Sequence, residues 1–219
     1  MENLNNFKNI NLEAVKGVLL DLDGTVYEYN NCHQVAIKGC YEYFNKEIDK
    51  NFSFTEFNNF YIKKRQNIVN FLKNNGSCRS RLFAFQAMFE ELNIDQNFEK
   101  AKDFDDLYWN IFIDNMIISE DALEFLEKCE KLNIQICILT DMISNIQIRK
   151  LQKLAISKKI KYLVSSEEVG VEKPHNIIFE IALKKLNLTK KEVIMIGVSE
   201  DKDIQGANSI GIKSYKIIL

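Results

Sequence analysis

Two aspartates separated by one residue carry the strongest chemical signal in the chain. Asp21 and Asp23 lie in the segment DLDGTV, directly after an apolar run. As the chain turns out of a strand, both carboxylates can converge on one phosphate, and Gly24 permits a tight turn that exposes backbone N–H groups to an anion. Asp21 then suits attack on phosphorus, which forms an aspartyl-phosphate. Asp23 suits proton transfer, first as the acid for the leaving group and then as the base for the hydrolytic water.

The acid role requires Asp23 to hold a proton, although an aspartate ordinarily titrates near about 3.9. The like charge of Asp21 acts to raise the pKa of Asp23 and a bound metal acts to lower it, so the net direction stays open. The plain alternative is a turn with two solvated acids. The context of a strand followed by a turn favours the functional interpretation.

Short apolar runs that alternate with helical patterns must position these residues. Strands are predicted over residues 16–22, 134–140, 162–165, 193–197 and 214–219. Helices are predicted over residues 120–132, 144–154, 176–186 and 203–209. Continuous apolar runs of this length fit a parallel sheet that is covered on both faces. The sequence therefore predicts an α/β fold with a doubly wound parallel sheet.

The segment between the first two predicted strands is too long for a simple crossover. Residues 30–115 show helical periodicity, with helices predicted over 33–48, 54–74, 80–92 and 98–113. Since a crossover between parallel strands needs only about a dozen residues, we expect an inserted helical module, with 1–29 and 116–219 forming the α/β core. The module leaves the sheet at the carboxyl end of the first strand, where open α/β sheets bind ligands. A cap over an active site is therefore expected.

Composition narrows the classes of partner and compartment. The 219 residues carry a formal net charge of -2, whereas a general nucleic-acid binder is usually strongly basic. No apolar run approaches the roughly 18 to 20 residues that span a bilayer, and the polar start lacks a signal-peptide pattern. The five cysteines include no C-x-x-C pair, which predicts free thiols rather than a zinc site. We expect a cytoplasmic protein with no nucleic-acid or membrane partner.

The segment DLDGT after a strand resembles the first motif of the haloacid dehalogenase-like hydrolases. Three further positions follow in the family's order: Thr140 at the end of ICILT, Lys173 in GVEKP and Asp203 in VIMIGVSEDKDIQGA. The resemblance implies that Thr140 hydrogen-bonds the phosphate and that Lys173 neutralises the nucleophile and the phosphoryl oxygens. It further implies Mg²⁺ as the cofactor, with Asp21, Asp23 and Asp203 at the metal.

One acid of the family's fourth motif is missing. Val198 stands where relatives carry the Asp that usually binds magnesium directly, and a valine supplies no oxygen to an ion that prefers octahedral oxygen ligation. Three outcomes stay open: Asp203 moves inward, Glu200 or Asp201 substitutes from the same loop, or metal binding is weak. Because Mg²⁺ usually keeps several waters, one lost carboxylate need not abolish binding. We therefore expect a functional site with altered metal binding.

Several neighbouring residues are predicted to contact the phosphate. Gly24 and Thr25 complete the turn after Asp21, and Asp141 follows Thr140 at a position that is often Asn in the family. This last departure puts the contribution of Asp141 in question.

The helical module is predicted to add substrate contacts. Residues 61–81 hold six basic side chains and no acid, and Arg79 and Arg81 follow a predicted loop. A solvated helix face is the commoner explanation of such a cluster, and these two arginines are the best candidates to meet an anionic substrate. His33 lies ten residues beyond Asp23, near the expected hinge. In β-phosphoglucomutase-like relatives a His near this point contacts the active site, but the ordinary start of a helix is the interpretation that we favour for His33.

The combined pattern predicts a magnesium-dependent phosphatase that hydrolyses a small phosphorylated metabolite, a sugar phosphate or a nucleotide, as a monomer or homodimer. Asp23 argues against a true haloacid dehalogenase and against the phosphonate-cleaving relatives, because neither protonates such a leaving group. Two alternatives remain. A catalytically impaired binding or regulatory protein is suggested by Val198, and a phosphomutase would return the phosphoryl group to another hydroxyl of its substrate.

Overall fold

A computed structural model describes residues 3–4, 6–48, 51–73 and 75–218. The described residues fall into two compact units. The first unit combines residues of Met1–Tyr29 with residues of Met116–Leu219, and the second is formed by residues of Asn30–Asn115. The two units are described below as the sheet unit and the helical unit.

The sheet unit is built on six parallel strands among the described residues. They are β1 (Asn3–Leu4), β2 (Gly17–Leu20), β3 (Gln135–Thr140), β4 (Tyr162–Ser165), β5 (Val193–Gly197) and β6 (Lys213–Ile217). Their order across the sheet is β1-β6-β5-β2-β3-β4. The strand β2 is central, with Leu19 aligned to Cys137 on one side and Met195 on the other. The predicted α/β fold with a parallel sheet is confirmed; β1 was not predicted, and Leu219 of the last predicted strand lies outside the described residues.

Among its described residues, the helical unit contains four long helices, which are α1 (Tyr29–Glu47), α2 (Phe54–Leu72), α3 (Arg81–Glu91) and α4 (Asn97–Asp114). Aromatic rings fill its interior: the centroids of Phe89 and Phe104 lie 4.8 Å apart, and those of Phe44 and Phe57 lie 5.2 Å apart. Each of these large side chains buries much apolar area in the helical unit. No helix in the described part of the chain is both long and apolar enough to cross a membrane. Position 74, the end of the second predicted helix, lies outside the described residues.

The helices that cover the sheet follow the strands in sequence. They are α5 (Glu120–Lys131), α6 (Ser144–Lys153), α7 (Ser166–Val169), α8 (Asn176–Leu186) and α9 (Gly206–Ser209). The helix α8 buries a regular apolar stripe that includes Ile178 and Phe179. In contrast, α6 buries Gln147 and Lys150 together with Ile146 and Leu151. Polar side chains are rarely fully buried without partners, so α6 is where the sheet unit departs from ordinary core packing.

The last predicted helix differs from the observed one. Residues Glu200–Gln205 form a π-helical turn, and only Gly206–Ser209 are α-helical. Within this turn Asp203 is buried, with 1% of its surface exposed. Single π-helical turns occur frequently at functional sites, where they direct a side chain that a regular helix would point elsewhere.

Candidate active site

The candidate site lies at the carboxyl edge of the central strands. Asp21 directly follows β2, Thr140 ends β3, and Gly197 ends β5. The N–H of Asp21 donates to the carbonyl of Ile196 at 2.9 Å, which fixes the start of the turn against β5. Because parallel strands end at the same edge, residues that are far apart in sequence meet there, as in other open α/β sheets.

Lys173 joins two of the predicted site acids. Its ammonium donates to Asp21 Oδ1 at 2.8 Å, to Asp203 Oδ1 at 2.7 Å and to the carbonyl of Leu139 at 3.0 Å. These bonds use all three of its donors, and only 3% of the residue is exposed. The structure therefore brings Asp21, Lys173 and Asp203 into one buried cluster, although they span more than 180 positions of the chain.

The environment of Asp21 raises its pKa to about 7. Burial is the largest cause, Lys173 opposes it, and the nearby Asp203 and Asp23 carboxyls raise the pKa further. The hydroxyl of Thr25 donates to Asp21 Oδ2 at 2.8 Å, and the predicted contact of Thr25 with phosphate stays a prediction. Burial alone would lower the pKa of Lys173, but Asp203, Asp21 and Asp141 raise it, so its ammonium stays charged.

Asp203 occupies a space that the backbone leaves for it. Its Oδ2 accepts the N–H of Ser199 at 2.9 Å, while a Cβ built on Gly197 would lie 2.4 Å from the Asp203 carboxyl carbon. Only glycine at position 197 allows this inward orientation. Of the possible substitutes for the missing acid, Glu200 accepts a bond from Lys216 at 3.1 Å and Asp201 is exposed. Inward placement of Asp203 is therefore the outcome that the geometry favours.

Asp23 is held by a group of residues that the sequence did not reveal. Lys150 donates to Asp23 Oδ1 at 2.6 Å, and the Tyr27 hydroxyl donates to the same oxygen. The amide of Gln147 donates to Asp23 Oδ2 at 3.1 Å and to Thr140 Oγ1 at 2.6 Å. The detectable signal was a Gln and a Lys spaced three apart on the apolar stripe of a predicted helix.

These contacts decide the direction of the pKa shift at Asp23. Burial, the largest single effect, raises the pKa of Asp23, but Lys150, Tyr27 and Gln147 together lower it below its ordinary value. A buried ammonium at 2.6 Å therefore outweighs any rise that the neighbouring Asp21 carboxyl causes. Asp23 rests as a carboxylate.

The remaining predicted residues of the sheet unit have structural roles. Gly24 adopts a φ of 81°, a left-handed conformation that glycine takes without strain. Asp141 Oδ1 accepts the N–H of Lys173 at 2.8 Å, and its Oδ2 accepts the ammonium of Lys202 at 2.9 Å. Lys202 also donates to Glu172 at 2.7 Å. Asp141 thus anchors the loop that carries Lys173, and its predicted contact with phosphate stays a prediction.

The three residues predicted from the helical module lie within the helical unit. His33 Nδ1 is hydrogen-bonded to the Tyr108 hydroxyl at 2.8 Å, and burial, followed by the charges of Arg81 and Arg65, lowers the pKa of His33 to about 4. Arg81 begins α3 and is buried, with its guanidinium 5.4 Å from the ring centroid of Tyr108. Arg79 ends a short 3₁₀ turn, Gly76–Arg79, and is half-buried. His33 and Arg81 therefore share Tyr108 as a neighbour.

The acidic side chains of the sheet unit limit the kind of metal site that can form there. In the part of the chain that the structure describes, no group of three or more His, Cys, Asp or Glu side chains is arranged to hold a metal ion. The charges nevertheless favour a cation. When all five groups are ionised, the three carboxylates of Asp21, Asp23 and Asp203 and the two ammonium groups of Lys150 and Lys173 sum to one net negative charge (three minus two). Mg²⁺ is commonly bound by one or two carboxylates and several waters. The donors fit such a water-rich site and not a cage of three carboxylates.

The site thus has a carboxylate at the end of the central strand of a parallel sheet, in contact with a buried lysine. The family model of the haloacid dehalogenase-like hydrolases matches residues 15–211. The chain belongs to this family.

Curated relatives cover most of the chain. It is 29% identical to the ribulose-1,5-bisphosphate 5-phosphatase of Halopiger xanaduensis, over 90% of this chain and 82% of the relative. It is 25% identical to the glyceraldehyde 3-phosphate phosphatase of Methanocaldococcus jannaschii, over 93% of this chain and 85% of the relative. Both relatives are named as phosphatases of small phosphorylated sugars.

Solved structures show the same fold at lower identity. The 2-haloacid dehalogenase of Pseudomonas syringae pv. Tomato superposes with a TM-score of 0.72 at 18% identity, over 91% of this chain and 85% of that one. The HAD-hydrolase YfnB of Bacillus subtilis, solved bound to magnesium, superposes with a TM-score of 0.68 at 18% identity, over 91% and 87%. These similarities support the fold of the chain.

Proposed function

We propose that the chain is a phosphatase that hydrolyses phosphomonoesters of small metabolites, with sugar phosphates preferred over nucleotides. The observation that carries the proposal is the buried contact of Lys173 with both Asp21 and Asp203, which places an ammonium beside the candidate nucleophile. The preference for sugar phosphates follows the names of the two curated relatives.

Asp21 is the proposed nucleophile. Its carboxylate oxygen forms a bond to phosphorus, the bond between phosphorus and the leaving oxygen breaks, and an aspartyl-phosphate results. Lys173 offsets the negative charge of the carboxylate and of the phosphoryl oxygens. The hydroxyl oxygen of Thr140 already accepts a bond from Gln147, so its single O–H is left to donate to a phosphoryl oxygen.

Asp23 is the proposed group for both proton transfers. Because it rests as a carboxylate, it is ready to take a proton from the water that attacks the aspartyl-phosphate. For the preceding step it must gain a proton, and the negative charge of an arriving phosphate raises its pKa in the required direction. The same side chain thus serves as acid and as base in turn.

Magnesium is the proposed cofactor, held by Asp21 and Asp203 with water. When bound, the ion would offset phosphoryl charge and lower the pKa of Asp21, which burial otherwise raises to about 7. The net negative charge of the five ionisable groups favours a cation at this place. Val198 in the position of an acid predicts that the affinity is lower than in relatives that carry the full motif.

A phosphate-release assay on a panel of sugar phosphates and nucleotides tests the proposal, with Mg²⁺, with Mn²⁺ and with a chelator. We expect release that depends on metal, and none from the nearly isosteric variant Asp21→Asn. If Asp21→Asn releases phosphate at the rate of the parent protein, Asp21 is not the nucleophile. Following the phosphoryl group by ³¹P NMR separates hydrolysis from transfer to another hydroxyl, which is the phosphomutase outcome.

The second candidate is a binding or regulatory protein without turnover, and Val198 is the observation that favours it. It predicts saturable binding of sugar phosphates to a parent chain that releases no phosphate. The variant Val198→Asp separates the two candidates, because in an active enzyme it should change how the rate of phosphate release depends on metal. A cytoplasmic location, a monomer or homodimer, and the lack of nucleic-acid and membrane partners stay predictions.

A further inference from the structure

We propose that Lys150 and Gln147 are positioning residues that hold the Asp23 carboxylate as the base for hydrolysis of the aspartyl-phosphate. The inference rests on the proposed phosphatase function and assigns a role to α6, which carries both residues. Neither side chain is among the residues that the sequence motifs of the family identify here.

The contact with Lys150 is unusual for a sheet-covering helix. Lys150 has 0% of its side chain exposed, its ammonium lies 2.6 Å from Asp23 Oδ1, and it lies 5.9 Å from the ring centroids of both Tyr27 and Tyr29. A fully buried lysine is rare unless it is paired. The ion pair therefore gives Asp23, whose side chain is 21% exposed, a fixed orientation at the mouth of the site.

Gln147 links Asp23 to the residue proposed to bind phosphate. Its amide nitrogen uses one hydrogen for Asp23 Oδ2 at 3.1 Å and the other for Thr140 Oγ1 at 2.6 Å. Residues three apart on a helix project from the same face, so Gln147 and Lys150 reach Asp23 together. One helix face thereby sets the distance between the base after β2 and the hydroxyl at the end of β3.

The bonding pattern selects one oxygen of Asp23 as the base. Oδ1 accepts two bonds, from Lys150 and from Tyr27, so both of its lone pairs are engaged. Oδ2 accepts the longer bond from Gln147 and keeps a lone pair for the attacking water. In this step the water oxygen bonds to phosphorus, the bond from phosphorus to the Asp21 oxygen breaks, and one water proton passes to Asp23 Oδ2. Asp21 is regenerated as a carboxylate and inorganic phosphate leaves.

The test uses 4-nitrophenyl phosphate, whose leaving group departs with little need for a proton. With this substrate kcat/KM reports formation of the aspartyl-phosphate, and kcat reports its hydrolysis once that step is slow. We expect Lys150→Met and Gln147→Met to lower kcat by about 100-fold, a typical contribution of a positioned base, and to change kcat/KM by less than about 3-fold. A pre-steady-state burst of nitrophenolate should appear in both variants, and Lys150→Arg should recover part of the lost kcat.

Two controls separate positioning from general damage. Lys158→Met makes the same substitution at an exposed residue just beyond α6 and should leave kcat unchanged. When Lys150→Met is added to an Asp23→Asn variant, kcat should fall by less than about 3-fold, because the two residues act through one carboxylate. Gln147→Met keeps the test decisive should Lys150→Met fail to fold, which circular dichroism reveals.

Distinct results overturn the two proposals. A folded Gln147→Met or Lys150→Met variant that loses kcat and kcat/KM together, without a burst, shows a structural role only. If Lys150→Met lowers kcat by the same factor with and without Asp23, Lys150 does not act by positioning Asp23. A parent protein that releases no nitrophenolate under any metal condition overturns the phosphatase function itself.

Discussion

Replacing the proposed nucleophile is expected to make the protein more stable. Asp21→Asn removes a buried ionisable group but keeps its size, and the amide oxygen can still accept the bond from Thr25. Lys173 keeps its bond to Asp203 at 2.7 Å, so the change leaves no buried ammonium without a carboxylate. A gain in stability together with a loss of turnover is the signature of a site that is strained for function.

The magnitude follows from the pKa of Asp21. Its ordinary value of 3.8 becomes about 7 in the folded protein. At about 1.36 kcal/mol per pKa unit, ionised Asp21 costs at most roughly 4 kcal/mol of stability above neutral pH. Relaxation and water entry soften such penalties, so we expect Asp21→Asn to gain about 2 kcal/mol, or about 4–8 °C in Tm.

The sign of the pH dependence is fixed by the direction of the shift. Because the folded pKa lies above the unfolded one, the folded state binds more protons between about pH 4 and pH 7, and stability falls as the pH rises through that window. Asp21→Asn lacks this loss, so its advantage should be full at about pH 8 and absent below about pH 4.

Thermal unfolding in the presence of a chelator measures the effect across this pH range. The matched control is Asp95→Asn, which makes the same chemical change at an exposed residue and should shift Tm little. If Asp21→Asn is less stable than the parent at alkaline pH, or if its advantage is independent of pH, the reasoning about burial of this carboxyl is refuted.

Four further outcomes are expected. Lys173→Met should lower activity by at least about 1000-fold and destabilise the fold by about 3–5 kcal/mol in urea titrations, because two buried carboxyls lose their partner. Thr140→Val should lower kcat/KM by about 10- to 100-fold, which corresponds to the loss of one charged hydrogen bond; an unchanged value removes its phosphate contact. Because the pKa of His33 is lowered to about 4, NMR should show no titration of its ring protons above about pH 5.5. The neutral ring should also contribute to the stability of the fold, and this contribution is lost as the pH falls from about 6.5 to 4. Val198→Asp should raise the affinity for Mg²⁺ in calorimetric titrations. If the affinity is unaltered, position 198 does not take part in metal binding.

The sheet was predictable because each strand is a short apolar run bounded by turn residues. The predicted strands over 134–140 and 193–197 correspond to Gln135–Thr140 and Val193–Gly197. The two-residue strand Asn3–Leu4 was not predicted, since two residues show no periodicity. The π-helical turn at Glu200–Gln205 also escaped prediction, because it depends on the tertiary contacts of Asp203 rather than on local preference.

The cluster of Asp21, Lys173 and Asp203 could be anticipated from the order of motifs along the chain. The surroundings of Asp23 could not, because they depend on which face of α6 is buried. Lys150 lies on the apolar stripe of a predicted helix, but only the packed helix shows it at 0% exposure beside Asp23. The direction of the pKa shift at Asp23, which the opposing effects of Asp21 and of a metal left open, is set by these contacts.

The bare backbone at Gly197 limits how this protein can evolve. The acid that contacts Lys173 fits only because nothing projects from position 197, where an added Cβ would lie 2.4 Å from its carboxyl carbon. Even an alanine there would expel that acid while every reactive group stayed in the sequence. A mutation that adds one methyl group at the end of β5 is therefore expected to displace Asp203 from Lys173 and to inactivate the proposed enzyme.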